Sequence, residues 1–433
     1  MRPTTEDAIA IWRAGLAAVD PARLVERALA REHFPPAGRF LLVGAGKASA
    51  AMARAAVRVL GADRVAGWIN VPADQAGEAG PVHLHPARPA AVNEPTEAGV
   101  AGTERMLAML RSMAADDIAI ALISGGASAL LTAPRPPATL AEKRDLARRL
   151  FAAGAPIAEV NLVRRALSLV KGGGLARACR GRRLLGLILS DVVGDDPVSI
   201  GSGPTVAVAA DPLEVQEVLR RRGVAMADLP PAIRTVLAAP PITTPPGTAI
   251  DNRILGSTAI ALDAAASEAV ARGYRVLSLG AANQGDAAAE GAALAERVRG
   301  LAAGTARVCL LSGGEPTVTM PAGSTGLGGR NQHLALAALP LLRGVRDATL
   351  LAAGTDGEDG PTDAAGAYVD EAVIAAAERL GLDPRDHLAR FESHRFFLAA
   401  GGLLRTGPTG TNVADLRVAT VAPTSGPAPR PAS

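Results

Sequence analysis

Short uninterrupted apolar runs alternate along the chain with stretches whose apolar residues recur every three or four positions. The first kind reads as a strand buried on both faces, the second as a helix with one buried side. Residues 5–31 carry the helical spacing at Ile9, Trp12, Leu16, Val19, Leu24 and Ala28, predicting one or two helices broken near Pro21. A strand at Phe40–Val43, a helix from Ala48 and a strand over 64–71 follow. Prolines, glycines and two histidines predict a loop over 72–96, and then a helix over 97–113. Asp117–Ser124 and Leu184–Asp191 read as buried strands, separated by a helical region, 140–180, with a glycine break at 172–174. This alternation predicts a doubly wound α/β domain of the Rossmann-like, three-layer α/β/α kind.

Paired prolines at 230, 240 and 245 punctuate residues 229–250 and mark the expected domain boundary. The pattern then restarts. Strands are expected at 253–255, 274–279 and 307–312, with helices at 257–272, 286–303, 331–343 and 370–381. The resulting division is 1–240 for a first domain, 251–421 for a smaller α/β domain, and a disordered tail over 422–433.

Composition removes several function classes. Lys plus Arg (45) nearly balances Asp plus Glu (42), and no basic run or Arg-aromatic interleaving argues for nucleic acid. Cys179 and Cys309 lack a Cys-x-x-Cys partner, so a reducing, cytoplasmic setting is expected. No apolar run reaches the roughly 18 residues a spanning helix needs. The six histidines show no metal-box spacing and read as structural.

Glycine-rich turns between strands and helices are the first candidates for chemistry. Gly44-Ala45-Gly46-Lys47 could bring backbone N–H groups to an anion at a helix start. It is not a Walker A loop, because Leu41 and Ala48 stand where Gly and Ser or Thr belong, and Ser49 breaks a dinucleotide fingerprint. Ser124-Gly125-Gly126-Ala127-Ser128 and Ser312-Gly313-Gly314-Glu315 repeat the same geometry, so three such turns suggest anion-binding rims. None has the Gly-x-Ser-x-Gly of a nucleophile elbow. Asn161, Arg164 (or Arg165), Ser168 and Lys171 are spaced to share one basic helical face, suited to a phosphate or carboxylate. Asp191 ends a buried strand, where open α/β sheets present carboxylates to ligands. Arg330, followed by Asn331, fixes a guanidinium at a helix start.

The most acidic stretch is Asp356, Glu358, Asp359 and Asp363, expected to follow a buried parallel strand that ends at Gly354. Carboxylates so close repel one another, which favours a cation beside them.

Taken in order, these motifs resemble the glycerate 2-kinase family, which joins a DUF4147 domain to a domain named MOFRL. The resemblance rests on the turn at 44–47, SGGASALL at 124–131, the run 161–173, and SDVVGDDPVSIGSGPT at 190–205. It continues through LSGGEPTV at 311–318, GGRNQ at 328–332, AAGTDGEDGPTDAAGA at 352–367 and GPTGTNVADL at 407–416. The segment 83–96 departs from the family's His-Pro-x-Pro-Asp pattern. The resemblance implies transfer of the γ-phosphoryl of ATP to D-glycerate, with Mg²⁺, in a cleft between the domains of a monomer or homodimer. It assigns Lys47 and Arg330 as cations on the phosphoryl group, Asp191 to the substrate hydroxyl and Asp356 to the metal, with Glu315 or Asp359 joining through water. Gly44, Gly46, Ser124, Gly125, Gly126, Ser128, Arg164, Lys171, Gly313, Gly314, Glu315 and Asn331 would bind substrate or nucleotide. Two other readings compete: an NAD(P)H-dependent hydroxypyruvate reductase, and a non-catalytic binder of sugar acids or nucleotides. Strand 64–71 leads to Pro72 without the acidic residue that a dinucleotide site wants.

Overall fold

The computed structural model describes residues 2–90, 92, 94–242, 248–321 and 323–423. Expectations for 243–247, for Ala322 in the glycine-rich loop and for the tail from 424 onward lie outside the described residues. The chain forms two compact units, one of Pro21–Leu255 and one joining the residues up to Asp20 with those from Gly256 onward.

The Pro21–Leu255 unit is built on β1 (Phe40–Ala45), β2 (Val65–Pro72), β3 (Gly77–Ala79), β4 (Val82–Arg88), β5 (Ile118–Ile123), β6 (Arg183–Leu189) and β7 (Ala249–Gly256). They form one sheet in the order β3-β4-β2-β1-β5-β6-β7. The pairs β4–β2, β2–β1, β1–β5 and β5–β6 are parallel, whereas β3 runs antiparallel to β4. Chain order therefore reverses at β1, which has β2 on one side and β5 on the other. Such a reversal opens a crevice at the carboxyl ends of the two strands. Residues 72–96, expected to be loop, instead hold β3 and β4. The surrounding prolines and glycines hid them, although His83 and His85 alternate with buried Val82 and Leu84 as strand residues do, and Trp68 packs against both imidazoles.

The other unit carries β8 (Arg275–Ser278), β9 (Val308–Gly314), β10 (Ala348–Gly354), β11 (Gly366–Val369), β12 (Leu403–Leu404) and β13 (Asp415–Val421). Their order is β12-β11-β10-β13-β9-β8, and only β8–β9 is parallel. The strand before the acidic loop, β10, is thus antiparallel to both neighbours and not the parallel strand expected. Burial on both faces makes an antiparallel central strand as uniformly apolar as a parallel one.

Two segments change sides relative to a division at 240–251. β7 completes the first sheet after the proline-rich stretch, although 253–255 reads as the start of the second domain. The helix Pro3–Ala18 belongs with the second unit. Trp12 is fully buried there, its Nε1 donating to Ala353 O at 3.4 Å, and Thr5 Oγ1 donates to Asp370 Oδ2 at 2.7 Å. Asp7 accepts from Arg272, Arg307 and the Tyr274 hydroxyl. Gly15 lies so close to the helix Thr258–Ala271 that a Cβ would stand 2.8 Å from Ala261 O. Sequence distance hides such partners completely. Trp12→Ala should cost about 3–5 kcal/mol, and limited proteolysis should then cut within 256–423 before 21–255. Earlier cleavage in 21–255 would contradict the assignment of this helix.

Candidate active site

At the reversal point β1 and β5 approach closely, and glycine is what permits it. A Cβ on Gly44 would lie 2.0 Å from Leu122 O, and one on Gly46 would lie 2.0 Å from Ser124 Oγ. Both have positive φ, 143° and 147°. Their N–H groups turn inward, to Met106 Sδ at 3.3 Å and Asn70 O at 3.4 Å, so packing accounts for both glycines. Ser124 is buried as well, its Oγ accepting from Ala48 N at 2.9 Å at the start of the helix Ser49–Leu60. Lys47 N donates to Gly125 O at 2.9 Å, and its side chain passes 3.8 Å from where a Gly126 Cβ would sit. The two turns singled out in this half of the sequence are therefore stitched together.

Beside them opens a cavity of about 530 Å³, lined in part by Ser124, Gly126, Ser128, Arg164, Lys171 and Asp191. Asp191 is half-buried just past the end of β6. The shared helical face is corrected by the structure: the helix Ile157–Ala166 stops before Ser168 and Lys171. Lys171 instead reaches back, donating from Nζ to Ser128 O and Oγ, Gly201 O and Ser202 Oγ at 2.9–3.3 Å. Burial and the neighbouring Lys143, Arg164 and Arg165 push its pKa well down. Arg164 lies over the Phe151 ring, 5.4 Å from its centroid.

The remaining candidates lie in the other unit. Arg330 begins the helix Arg330–Leu342 and grips buried Asp415 bidentately, at 2.7 and 3.0 Å, while Nη1 donates to Glu315 at 2.7 Å. Burial pulls its pKa down, but Asp415 and Glu315 outweigh that and hold it above the usual value. Asp415 is a partner that the motifs did not single out, although a carboxylate opening the apolar run of β13 was a signal of the same kind as Asp191. Gly354 leaves room for two carboxylates, since its Cβ would lie 3.2 Å from Asp356 Oδ1 and 3.5 Å from Asp415 Oδ1. Gly313 and Gly314 end β9 against the 280–283 turn, where a Gly314 Cβ would meet Asn283 O at 2.1 Å.

The acidic loop does not act as one cluster. Asp359 turns inward as a cap for the helix Arg330–Leu342, accepting from Asn331 N, Asn331 Nδ2 and Gln332 N at 2.8–3.2 Å. Burial raises its pKa to about 6 against the pull of those N–H bonds. Asp363 pairs with Arg405, Glu358 is exposed, and Asp356 is half-buried on the Asp415 side. Among the described residues no three His, Cys, Asp or Glu side chains come close enough to hold a metal ion. Asn331, expected to bind substrate or nucleotide, is 1 % exposed and committed to Asp359.

The class that this fold and cavity define is that of α/β proteins with a cation-lined pocket at the carboxyl end of a parallel sheet. Two family descriptions match: a domain of unknown function, DUF4147, over residues 7–238, and the MOFRL family over residues 308–415. Human glycerate kinase is 39% identical, the alignment covering 95% of this chain and 92% of the human one. An Agrobacterium vitis protein with a provisional hydroxypyruvate reductase name is also 39% identical, over 94% of this chain and 92% of its own. The crystal structure of glycerate kinase from Thermotoga maritima superposes with a TM-score of 0.86 at 31% identity, covering 96% of this chain and 99% of that one. The chain belongs to the glycerate kinase family built from DUF4147 and MOFRL domains. Among the described residues no helix is long and apolar enough to cross a membrane.

The Asp359 cap offers a direct test. Asp359→Ala leaves the N–H groups of a buried helix start unpaired and should cost about 2–3 kcal/mol. Urea unfolding of the variant would show it; an unchanged midpoint would mean that water replaces the carboxylate.

Proposed function

We propose that the protein is an ATP- and Mg²⁺-dependent glycerate kinase that converts D-glycerate to 2-phosphoglycerate. The observation that carries this reading is the cavity beside the stitched turns, where Asp191 shares the lining with several cations. Phosphoryl transfer needs positive charge on the migrating group and a group that orients the attacking hydroxyl. Asp191 takes the second role. As the C2 oxygen of glycerate bonds to the γ-phosphorus, the bond to the ADP oxygen breaks and the hydroxyl proton passes to the Asp191 carboxylate. Lys47 meets the charge that builds on the phosphoryl oxygens. Lys171, with its donors engaged by the protein, holds Ser128 and the 201–202 loop in position around the substrate.

Mg²⁺ in kinases is commonly held by one or two carboxylates together with nucleotide phosphates and water, without an all-protein cage. Asp356 beside Asp415 fits that demand, whereas Asp359 is spent on its helix. Bound there, the metal would supply charge neutralisation for the phosphates. Arg330, anchored by Asp415 and Glu315, would then present a guanidinium of fixed orientation to the nucleotide.

The test is a coupled assay of ADP release from Mg·ATP with D-glycerate, with phosphorus NMR of the product. A 2-phosphoglycerate signal supports the reading, and a 3-phosphoglycerate signal corrects the regiochemistry. NAD(P)H consumption with hydroxypyruvate, in the absence of ADP release, would replace it with the reductase named for the Agrobacterium relative. Lys47→Ala should fold normally and lower kcat by about a hundredfold or more, the scale of one lost transition-state charge contact. Near-normal turnover would remove Lys47 from the reaction.

A further inference from the structure

The helix Leu140–Ala152 begins with a capping box, in which Thr139 and Glu142 bond each other's backbone. Lys143 sits in that first turn, against the positive end of the helix dipole. It is 6 % exposed, and its Nζ finds no hydrogen-bond acceptor among the described residues. The charged groups acting on it are cations: Arg164 presses on Lys143, and Lys143 in turn presses on Lys171. Burial first, then Arg164, pushes its pKa down to about 7. Nearby carboxylates are committed elsewhere, Glu142 to the capping box and Glu94 to Arg144 and Arg148. A buried ammonium without an acceptor is among the costlier arrangements a protein can keep. Lys143 nevertheless lines the same cavity as Asp191.

We propose that Lys143, together with Arg164, receives the carboxylate of the substrate, and so distinguishes a small hydroxy acid from its neutral analogues. This rests on the kinase reading above and adds the anchor at the other end of the molecule. A glycerate has a hydroxyl to be oriented and a carboxylate to be neutralised; the cavity offers Asp191 for one and two cations for the other. Leu140, Ala147 and Phe151 supply an apolar wall for the carbon chain. Lys171, the lysine that stands out in the sequence, cannot serve in the same way because four protein acceptors already surround its Nζ. A triphosphate is the poorer match here, since the Gly44 and Gly46 amides that would cradle it face inward.

Lys143→Met keeps an unbranched side chain of similar length while removing the charge. The variant should raise KM for D-glycerate about thirtyfold or more, the scale of one lost charge-assisted hydrogen bond. KM for ATP should stay within about twofold, kcat should fall much less than kcat/KM, and preference for D-glycerate over its methyl ester should shrink. Its thermal midpoint should equal or exceed that of the wild type, because a buried charge without an acceptor has gone. Lys143→Arg should restore part of the glycerate affinity and serves as the second variant if Lys143→Met does not fold. Unchanged glycerate KM, or a rise confined to ATP, overturns the proposal. Should the wild type release no ADP with D-glycerate, the kinase reading fails separately. Calorimetric titration with D-glycerate and hydroxypyruvate then decides about Lys143: binding lost in the variant upholds it, and binding retained, or absent from the wild type, overturns it.

Discussion

The close approach of β1 to β5 is the constraint on which the rest of the first unit depends. Two glycines with positive φ bring the strands together at their carboxyl ends, where a methyl group would collide with Leu122 O or Ser124 Oγ. That contact lets Ser124 accept from the start of one helix while Gly125 accepts from Lys47. The lysine backbone is thereby fixed beside the cavity by the hydrogen bond it donates to a neighbouring strand's turn. Lys171 extends the same logic, joining Ser128 to the 201–202 loop. Ser124, Ser128 and Lys171, which the sequence marks as candidates for binding, thus hold these turns in place.

The second unit solves a different problem, that of keeping several carboxylates in a small volume. It does so by giving each its own partner. Asp359 goes to the N–H groups of a helix start, Asp415 to the Arg330 guanidinium and Asp363 to Arg405. An anion at a helix N-terminus and a bidentate arginine pair are the arrangements that most readily offset such burial. Asp356 lies close to Asp415 at Gly354.

Strands and helices were legible wherever the apolar period was unmixed. β1, β5, β6 and the helices at 258–271, 287–302 and 330–342 follow the pattern to within a few residues. β3 and β4 were not legible, because prolines and histidines on a half-covered edge resemble a loop. Nor was the affiliation of Trp12, since no local pattern encodes a partner more than 300 residues away, nor that of β7, which joins β6 across the proline-rich stretch. Within the candidate site, Asp191, Ser128 and Arg164 line one cavity, and each is a residue that a motif marks. Lys143 escaped because it lies in a charged, ordinary-looking helix segment, Ala141-Glu142-Lys143-Arg144. Only its burial sets it apart from its neighbours.

The union of the first helix with the far end of the chain has a consequence for synthesis. A polypeptide leaves the ribosome N-terminus first, and domains generally fold as units while it emerges. Every strand of the first sheet is available once residue 256 has emerged, so that unit can close early. The helix Pro3–Ala18 cannot follow suit, for it packs against the helix Thr258–Ala271, β10 and β13, all of which emerge after that unit. Its apolar face, with Trp12 at the centre, stays uncovered while residues 21–255 emerge. The helix Pro3–Ala18 is thus placed only after a whole unit that follows it in the chain has emerged, and during that wait its apolar face is open to chaperones and to aggregation.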